Sequence, residues 1–241
     1  VNYFINANIA LTKVDEDYPE NKLSGAVFEV YSDTNGDGKL DKDDTLLGEM
    51  KELDGGVYQM SELRYGKYLV KETKAPTGFV LDENVYSVSV EENGKTYTVE
   101  NKAGVGFINA AQKGSLKIVK TSSDGKVEGF SFRVTGVDYD QTFKTDKNGE
   151  IVIEGLRIGD YTVSEVSDKA SAGYILPADK QATVKVDATA IVQMHNEFRD
   201  TPKTGDDFNL GLWVSLAALS VVGAGVLGFV GYKNRKKKKE D

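Results

Sequence analysis

The sequence has no cysteine and a single histidine among its 241 residues. Without cysteine there is no disulfide and no Cys–His pair, and a single histidine with no cysteine leaves no zinc site of the usual Cys/His type. That histidine, His195, falls among Gln193 and Glu197 on a strand face expected to be exposed, so we interpret it as solvated rather than catalytic. These shortages disfavour an enzyme.

Basic residues are also fewer than acidic ones. The sequence has 30 Lys and Arg residues and 38 Asp and Glu residues, which gives a net charge of −8. Six of the basic residues lie in the C-terminal tail, residues 233–241. The rest of the chain is therefore more acidic still, which argues against nucleic acid or an anionic membrane surface as a partner. The chain begins without Met and without a signal peptide, so we expect it to be part of a longer precursor.

The sequence has one long apolar run, residues 210–232, and this run contains no charged residue. As a helix, this run is long enough to cross a hydrocarbon core of about 30 Å. The basic tail 233–241 predicts a cytoplasmic C-terminus, with everything before the span on the outside. Residues 200–209 form a linker in front of the span. This linker contains the motif Thr201-Pro202-Lys203-Thr204-Gly205.

This order of pentapeptide, apolar span and basic tail resembles the cell-wall sorting signal (LPXTG type) of Gram-positive surface proteins. The resemblance implies that a sortase transpeptidase cuts between Thr204 and Gly205 and joins Thr204 to an amine of peptidoglycan or of a pilin lysine. The span would then hold the chain in the membrane only until sorting. Thr201 stands where the commonest motif has Leu, which leaves the sortase class open. The alternative is an ordinary single-span anchor behind a Pro–Gly linker.

Self-comparison divides the rest of the chain into two copies of one unit, residues 8–112 and 113–199. The aligned pairs are 61–72 with 154–165, 9–13 with 116–120, and 107–109 with 194–196. Residues 4–7 echo residues 107–110. We therefore predict that residues 1–7 are the closing strand of a preceding repeat.

Both copies alternate apolar and polar residues between tight turns, which predicts an all-β fold of two tandem β-sandwiches followed by one C-terminal transmembrane helix. Asn93-Gly94 and Asn148-Gly149 predict hairpins with type I′ turns, in which both central residues need φ > 0. The predicted strands are 26–32, 57–60, 67–73, 85–90 and 96–100 in the first copy, and 116–120, 130–134, 151–153, 161–166, 182–186 and 191–196 in the second.

Each copy also points one lysine, one glutamate and one asparagine at its own core. Residues two apart in a strand share a face, and these polar residues each continue an apolar face. They are Lys13, Glu72 and Asn109 in the first copy, and Lys120, Glu165 and Asn196 in the second. Because burying such groups without partners is costly, we expect the three to meet within each copy.

Two interpretations fit these buried groups. One is a buried Lys–Glu salt bridge with the asparagine as a hydrogen-bonding neighbour. The other is chemistry, because a desolvated lysine loses its proton more easily and becomes a nucleophile. A glutamate kept protonated by the same burial would polarise the asparagine carbonyl and transfer protons. The product would be a Lys–Asn isopeptide bond, with loss of ammonia.

Residues 68–79 closely match the E-box of the B-type (CnaB or SpaA-type) domains found in collagen-binding surface proteins and in similar Gram-positive pilins. The resemblance covers nearly all of residues 8–198 and implies prealbumin-like or Ig-like sandwiches. It also implies self-catalysed bonds in both copies. These join Lys13 to Asn109 with Glu72 as catalyst, and Lys120 to Asn196 with Glu165 as catalyst.

The second copy departs from the E-box pattern, since Ala172-Gly173-Tyr174 lacks the proline and follows Glu165 at a longer spacing. In the first copy, Asn101 is a rival partner for Lys13. Asn109 is preferred because it matches the closing-strand position of Asn196 in the other copy.

Residues 33–44 fit a calcium-binding loop of the EF-hand type. The six ligand positions are Asp33, Asn35, Asp37, Lys39 through its carbonyl, Asp41 and Asp44, with Gly38 at the turn. Asp replaces the usual Glu at the last position, as in dockerin-like and surface-protein repeats, which this loop resembles. The flanks have the pattern of strands, so we predict a structural Ca²⁺ loop and not a full EF-hand. An Asp/Gly-rich turn without metal is the alternative.

These features predict a structural stalk of a Gram-positive cell-surface adhesin or pilus component, attached to the cell wall, with no enzymatic activity beyond its own single-turnover crosslinking. Glu20 stands where a pilin-motif lysine would be needed, which favours a basal or wall-anchored member over a backbone subunit. One alternative is a domain that binds a host matrix protein, a role that upstream domains could also carry. The other alternative is a fragment of a secreted enzyme.

Overall fold

The computed structural model describes residues 6–199, and all regular structure in this range is β-strand. It confirms the predicted pair of tandem β-sandwiches. The predicted linker 200–209, span 210–232 and tail 233–241 lie outside the described residues, as do residues 1–5. Among residues 6–199, no helix is long and apolar enough to cross a membrane.

The first repeat consists of nine strands in two sheets. They are β1 (Ala7–Asp15), β2 (Val27–Ser32), β3 (Thr45–Glu49), β4 (Lys51–Asp54), β5 (Val57–Leu63), β6 (Gly66–Lys74), β7 (Val85–Val90), β8 (Thr96–Thr98) and β9 (Phe107–Asn109). One sheet has the order β4-β5-β1-β8, with β9 also paired to β1, and the other has the order β3-β2-β6-β7.

The second repeat has the same plan in eight strands. They are β10 (Lys113–Ser122), β11 (Ser131–Gly136), β12 (Tyr139–Lys144), β13 (Glu150–Arg157), β14 (Gly159–Val166), β15 (Tyr174–Ile175), β16 (Lys180–Val184) and β17 (Thr189–Phe198). The sheets have the orders β13-β10-β17-β15 and β12-β11-β14-β16.

Three of the strands that are missing from the predicted list, β3, β4 and β12, have no continuous buried face. Strand β4 is exposed at every residue, and β3 and β12 are exposed at most of theirs. Such strands have no apolar alternation to detect. By contrast, β10 alternates between buried and less buried residues over almost its whole length.

Both predicted Asn-Gly hairpins are wrong. Asn93-Gly94 connects β7 to β8, and Asn148-Gly149 connects β12 to β13, and in each case the two strands belong to opposite sheets. Only the glycines have positive φ, 75° for Gly94 and 78° for Gly149, whereas a type I′ turn needs it at both central residues. The turns therefore carry the chain across the sandwich.

The first and last strands of each repeat are parallel neighbours. Strand β9 pairs with the end of β1, with Asp15 opposite Asn109. Strand β17 pairs with β10 over eight residues, with Ser122 opposite Asn196. Since side chains alternate along both strands, the predicted lysine and asparagine of each repeat project from adjacent strands on the inner face of the same sheet.

The cores lie between the two sheets of each repeat and are rich in edge-to-face aromatic pairs. In the first repeat, the ring of Phe28 lies 5.2 Å from that of Tyr58 and 4.9 Å from that of Phe107. In the second, Phe130 lies 5.2 Å from Tyr174. These rings form the apolar walls around the buried polar groups.

The two repeats contact each other through Arg157 at the end of β13. Its guanidinium group donates to both carboxylate oxygens of Asp15, at 2.7 and 2.9 Å, and to Asp17 at 3.0 Å. The ring of Tyr18 lies 5.0 Å from the guanidinium carbon. Burial alone would raise the pKa of Asp15, but hydrogen bonds from Arg157 and from the backbone outweigh it and hold the pKa below its usual value.

The connection between the repeats is also fixed by backbone hydrogen bonds. The Gln112 amide donates to the Gly78 carbonyl at 2.8 Å, and the Val80 amide donates to the Ala110 carbonyl at 2.9 Å. On the other side, the Ile158 amide donates to the Gln112 carbonyl at 3.1 Å. The linker is therefore a paired segment held by both repeats.

We expect Arg157→Ala to loosen this junction, because it leaves the carboxylate of Asp15 buried without its partner at a cost of about 3–5 kcal/mol. Small-angle scattering should show a broader distribution of interdomain orientations, and the unfolding temperature should fall. Lys113→Ala is the matched control, since its pair with Asp17 is exposed and should contribute little. Equal effects of the two substitutions would contradict the role of Arg157.

Candidate functional site

Lys13 lies on β1 with its side chain between the sheets, and it is fully buried. It shares the inner face with Ile9 and Leu11, as the alternation of the strand requires. Its ammonium group donates to the Phe107 carbonyl oxygen at 3.2 Å and lies 4.7 Å from the centre of the Phe107 ring. A lysine is almost never buried in this way without a charged partner.

That partner is Glu72, which reaches Lys13 from the opposite sheet on β6. The distance from the lysine Nζ to Glu72 Oε1 is 3.5 Å, and both side chains are fully buried. Asn109 on β9 completes the group, since its Nδ2 donates to both carboxylate oxygens of Glu72 at 3.0 Å. Lys13 and Asn109 thus both contact the carboxylate of Glu72, so the three predicted residues of the first repeat meet around one group.

Burial lowers the pKa of Lys13 from its ordinary value of 10.5 to about 8, although the neighbouring carboxylates of Glu72 and Asp82 act in the opposite direction. The neutral amine is consequently accessible close to physiological pH. A neutral amine can act as a nucleophile, whereas an ammonium group cannot.

The orientation of Asn109 differs from the predicted one. We expected Glu72 to face the carbonyl oxygen of the asparagine, but Glu72 accepts hydrogen bonds from its nitrogen instead. Carboxyl oxygens accept hydrogen bonds from an NH₂ group, and both oxygens of Glu72 do so here. The Asn109 Oδ1 is left buried with no hydrogen-bond partner among the described residues. In this orientation Glu72 contacts the nitrogen that would depart as ammonia.

The second repeat brings the same residue types together less completely. Lys120 and Asn196 are buried, while Glu165 is partly exposed. Asn196 Nδ2 donates to Glu165 Oε1 at 2.6 Å, but Lys120 donates to the carbonyl oxygen of Thr121 at 2.6 Å. Within residues 6–199, Glu165 Oε2 and Asn196 Oδ1 are buried without a hydrogen-bond partner.

Burial nevertheless shifts both titratable groups of the second repeat toward their neutral forms. It lowers the pKa of Lys120, against the attraction of Glu165 and Asp124. It also raises the pKa of Glu165, against the hydrogen bond from Asn196 and the charge of Lys120. A neutral amine and a protonated carboxyl group are the forms that amide exchange requires.

Asn101, the rival partner for Lys13, is engaged elsewhere. Its amide group bonds to the backbone of Ile108 and to the carboxylate of Asp82. Sequence reasoning missed Asp82 altogether, although its backbone amide donates to Glu72 Oε2 at 2.8 Å. No periodic signal could have found it, because Asp82 lies in the loop between β6 and β7.

The predicted calcium loop, residues 33–44, connects β2 to β3, so its flanks are strands as expected. Its side-chain oxygens accept hydrogen bonds from the loop's own backbone. The pairs are Asp33 with Gly36 and Gly38, Asn35 with Asp37, Asp37 with Lys39, Asp41 with Asp43, and Asp44 with Thr34 and Asp41. Gly36 and Gly38 supply the positive φ of the turn.

Among residues 6–199, no three His, Cys, Asp or Glu side chains converge in a way that could hold a metal ion. The loop does offer the hard oxygen donors that Ca²⁺ prefers, and each hydrogen bond uses only one lone pair of an oxygen. The donor chemistry therefore fits a calcium ion, which would draw the side chains of Asp33, Asn35, Asp37, Asp41 and Asp44 and the Lys39 carbonyl together.

Two other predictions concern the end of the chain. The sorting motif Thr201–Gly205 lies outside the described residues. His195 is half-exposed, and its ring contacts Thr121 Oγ1 at 2.8 Å and Glu197 Oε1 at 3.2 Å.

Comparison with known proteins agrees with this architecture. The family model SpaA, a prealbumin-like fold domain, matches residues 7–103 and again residues 114–198. The chain therefore contains two tandem prealbumin-like domains. It belongs to the SpaA family of prealbumin-like fold domains.

Among solved structures, the Bacillus anthracis TIE protein is similar at 23% identity with a TM-score of 0.60, over 81% of this chain and 34% of that one. The present chain thus spans about a third of that protein's length. GBS52, the minor pilin of Streptococcus agalactiae, aligns at 16% identity with a TM-score of 0.35, over 83% of this chain and 98% of that one. A comparison with curated proteins gave no match.

In an Asn109→Ala background, where Lys13 has no side-chain amide to react with, we expect Glu72→Ala to lower the free energy of unfolding of the first repeat by about 3–5 kcal/mol, because it leaves the buried Lys13 ammonium without its carboxylate. Denaturant unfolding followed separately for each repeat measures this. The control is Glu92→Ala, since the pair of Glu92 with Lys95 is exposed and should contribute little. If Glu72→Ala were as mild as Glu92→Ala, the buried charge pair would not stabilise the fold.

Proposed function

We propose that each repeat forms an intramolecular isopeptide bond, Lys13 to Asn109 in the first and Lys120 to Asn196 in the second. The observation that carries this proposal is that Lys13 and Asn109 both contact Glu72 in a site closed to water. Such proximity corresponds to effective molarities of about 10⁵ M or more for well-oriented groups.

The proposed reaction needs no external reagent. The neutral amine of Lys13 attacks the side-chain carbonyl carbon of Asn109, so that a new C–N bond forms and the bond to Nδ2 breaks. One amine proton passes through the carboxyl group of Glu72 to the departing nitrogen, which leaves as ammonia. Glu72 is suited to this transfer because it contacts both nitrogens.

In the second repeat the same reaction requires Lys120 to turn away from the Thr121 carbonyl and toward Asn196. Two buried oxygens that have no hydrogen-bond partner within residues 6–199, Glu165 Oε2 and Asn196 Oδ1, favour this movement, since each can accept from the ammonium or amine group. The raised pKa of Glu165 favours the protonated carboxyl group that would pass its proton to the departing nitrogen of Asn196, which then leaves as ammonia.

The bonds would close almost the whole of each repeat into a covalent loop. On the entropy model used for disulfides, a loop of this length adds about 4–5 kcal/mol of stability. A more important consequence is mechanical. The crosslinked strands are the first and last of each repeat, so a pulling force could not separate them without breaking a covalent bond.

We infer from these properties a force-bearing stalk module of a Gram-positive surface adhesin or pilus component. Membership in the SpaA family supports this role. Sortase would attach the chain through residues 201–205 to peptidoglycan or to a pilin lysine, after a transient membrane stage held by residues 210–232. Any binding to a host matrix protein would then fall to other domains.

The mass of the chain tests the crosslinks directly. We expect the full chain to be lighter than its sequence by two ammonia molecules. Lys13→Ala or Glu72→Ala should reduce the deficit to one, because each disables only the first site. Since the nucleophile is the neutral amine, the first bond should form faster as the pH rises toward about 8, the pKa of Lys13.

Glu92→Ala, an exposed substitution in the same repeat, should retain both losses and is the control. A wild-type chain of full sequence mass would exclude the crosslinks and leave the buried Lys13–Glu72 salt bridge and the hydrogen-bonded pair of Glu165 and Asn196.

We also propose that residues 33–44 bind a structural calcium ion. The support is the density of carboxylate and amide oxygens at alternate positions, together with the two left-handed glycines that let the loop fold back on itself. A bound ion would offset the repulsion between crowded carboxylates and stiffen the loop in a chain that has no disulfide.

Calcium should raise the unfolding temperature of the first repeat, because a ligand that binds only the folded state stabilises that state. At a Ca²⁺ concentration a hundredfold above Kd, the free energy of unfolding should rise by about 2.7 kcal/mol. Calorimetric titration with Ca²⁺ and Mg²⁺ measures binding. Asp37→Ala should weaken it strongly, whereas Asp43→Ala, which changes a residue outside the ligand positions, should not. Equal responses of the two variants, or none in the wild type, would refute the site.

A further inference from the structure

The two repeats hold their crosslinking asparagine in different ways. In the second repeat, Asn196 lies in a continuous ten-residue strand whose backbone pairs with β10 over eight residues. In the first, the corresponding strand is broken into β8 and β9, and residues 100–106 leave the sheet between them. Strand β9 has only three residues paired with β1, so its backbone ladder alone fixes Asn109 weakly.

The side chain of Asn101 supports β9 from its other edge. The Asn109 carbonyl faces β1, where it accepts from the Glu16 amide at 3.1 Å. Because backbone groups alternate along a strand, those of Ile108 face away from β1. Asn101 bonds to both of them, accepting from the Ile108 amide at 2.6 Å and donating to its carbonyl at 2.9 Å. It thus replaces a missing neighbouring strand.

Asp82 connects this clamp to the reactive carboxylate. Its Oδ2 accepts from Asn101 Nδ2 at 2.8 Å and from the Tyr86 hydroxyl at 2.6 Å. Its own backbone amide donates to Glu72 Oε2 at 2.8 Å. A ring of hydrogen bonds therefore runs from Glu72 through Asp82, Asn101 and the backbone of β9 to Asn109, and returns to Glu72.

We propose that Asn101 and Asp82 are positioning residues for the first crosslink, holding Asn109 and Glu72 in the reactive arrangement that β9 is too short to maintain. The proposal rests on the isopeptide reaction inferred above. The second repeat, with its continuous β17, reacts without such a clamp.

The charge of Asp82 indicates that its part is geometric. Burial alone would raise its pKa, but hydrogen bonds from Tyr86, Asn101 and Asn84 outweigh it and hold the pKa below its usual value. Asp82 is thus an anion at neutral pH. Together with Glu72 on β6, it is one of the two carboxylates that raise the pKa of Lys13, which opposes formation of the nucleophile. Any benefit to the reaction must come from its hydrogen bonds.

The test compares the rates of the two crosslinks within the same molecules. The full chain is made by cell-free synthesis, samples are quenched in acid at intervals, and digestion gives the fraction of each joined peptide pair by mass. Asn101→Ala should slow the first crosslink by about tenfold, the loss expected for a positioning hydrogen-bonding group. The second crosslink serves as the internal control and should keep its wild-type rate.

Two further variants separate positioning from general stability. Asn101→Asp should slow the first crosslink more than Asn101→Ala, because it sets a second carboxylate against Asp82. The double variant Asn101→Asp/Asp82→Asn again places a donor opposite an acceptor at these two positions. It should recover most of the rate that Asn101→Asp loses beyond Asn101→Ala.

Asp82→Asn alone removes an anion near Lys13 and should shift the pH profile of the first crosslink to lower pH. Asn101→Ala should leave the profile in place.

Each result bears on the proposal. Wild-type rates for the first crosslink in both Asn101 variants would overturn the positioning role while leaving the isopeptide reaction intact. Equal slowing of both crosslinks, or no recovery in the double variant, would reduce Asn101 to general stability and also overturn it. A wild-type chain without the first crosslink would remove the reaction itself, and with it the role of both residues.

Discussion

A lysine, a glutamate and an asparagine lie between the two sheets of each repeat, and in the first repeat water cannot solvate them. Lys13 and Glu72 are fully buried, and Asn109 is 3% exposed. Burying such groups apart from one another would cost far more free energy than burying them in contact. The sandwich is therefore organised to bring them together, with the lysine and asparagine on adjacent parallel strands and the glutamate on the facing sheet.

The two repeats satisfy this constraint unequally. In the first, Glu72 uses both carboxylate oxygens to bind Lys13, Asn109 and the amide of Asp82. In the second, Lys120 bonds to a backbone carbonyl, and Glu165 keeps a buried oxygen without a partner in the described chain. The first site is the more completely ordered, although its asparagine lies on the shorter strand. Hydrogen bonds from the loop residues Asn101 and Asp82 support the short strand β9 and Glu72.

The same geometry explains how the chain could carry load. Each repeat is entered along its first strand and left along its last, and these two lie side by side and parallel. A force applied to the two ends therefore shears one strand past its neighbour, and a covalent bond between them would bear that force directly. The paired linker and the contact of Arg157 with Asp15 continue the connection from one sandwich to the next.

Local pattern was enough to predict the all-β class, the duplication, and the strand faces that carry Lys13 and Glu72, because side-chain alternation and repeated motifs depend only on neighbours along the chain. It failed at the exposed strands β3, β4 and β12, and at both Asn-Gly turns, where the choice between a hairpin and a crossing of the sandwich depends on which sheet receives the next strand. Asp82, Asn101 and Arg157 acquire their roles only from partners distant in sequence. Tertiary structure alone decides such contacts, because packing of the two sheets determines which remote backbone and side-chain groups come within hydrogen-bonding distance.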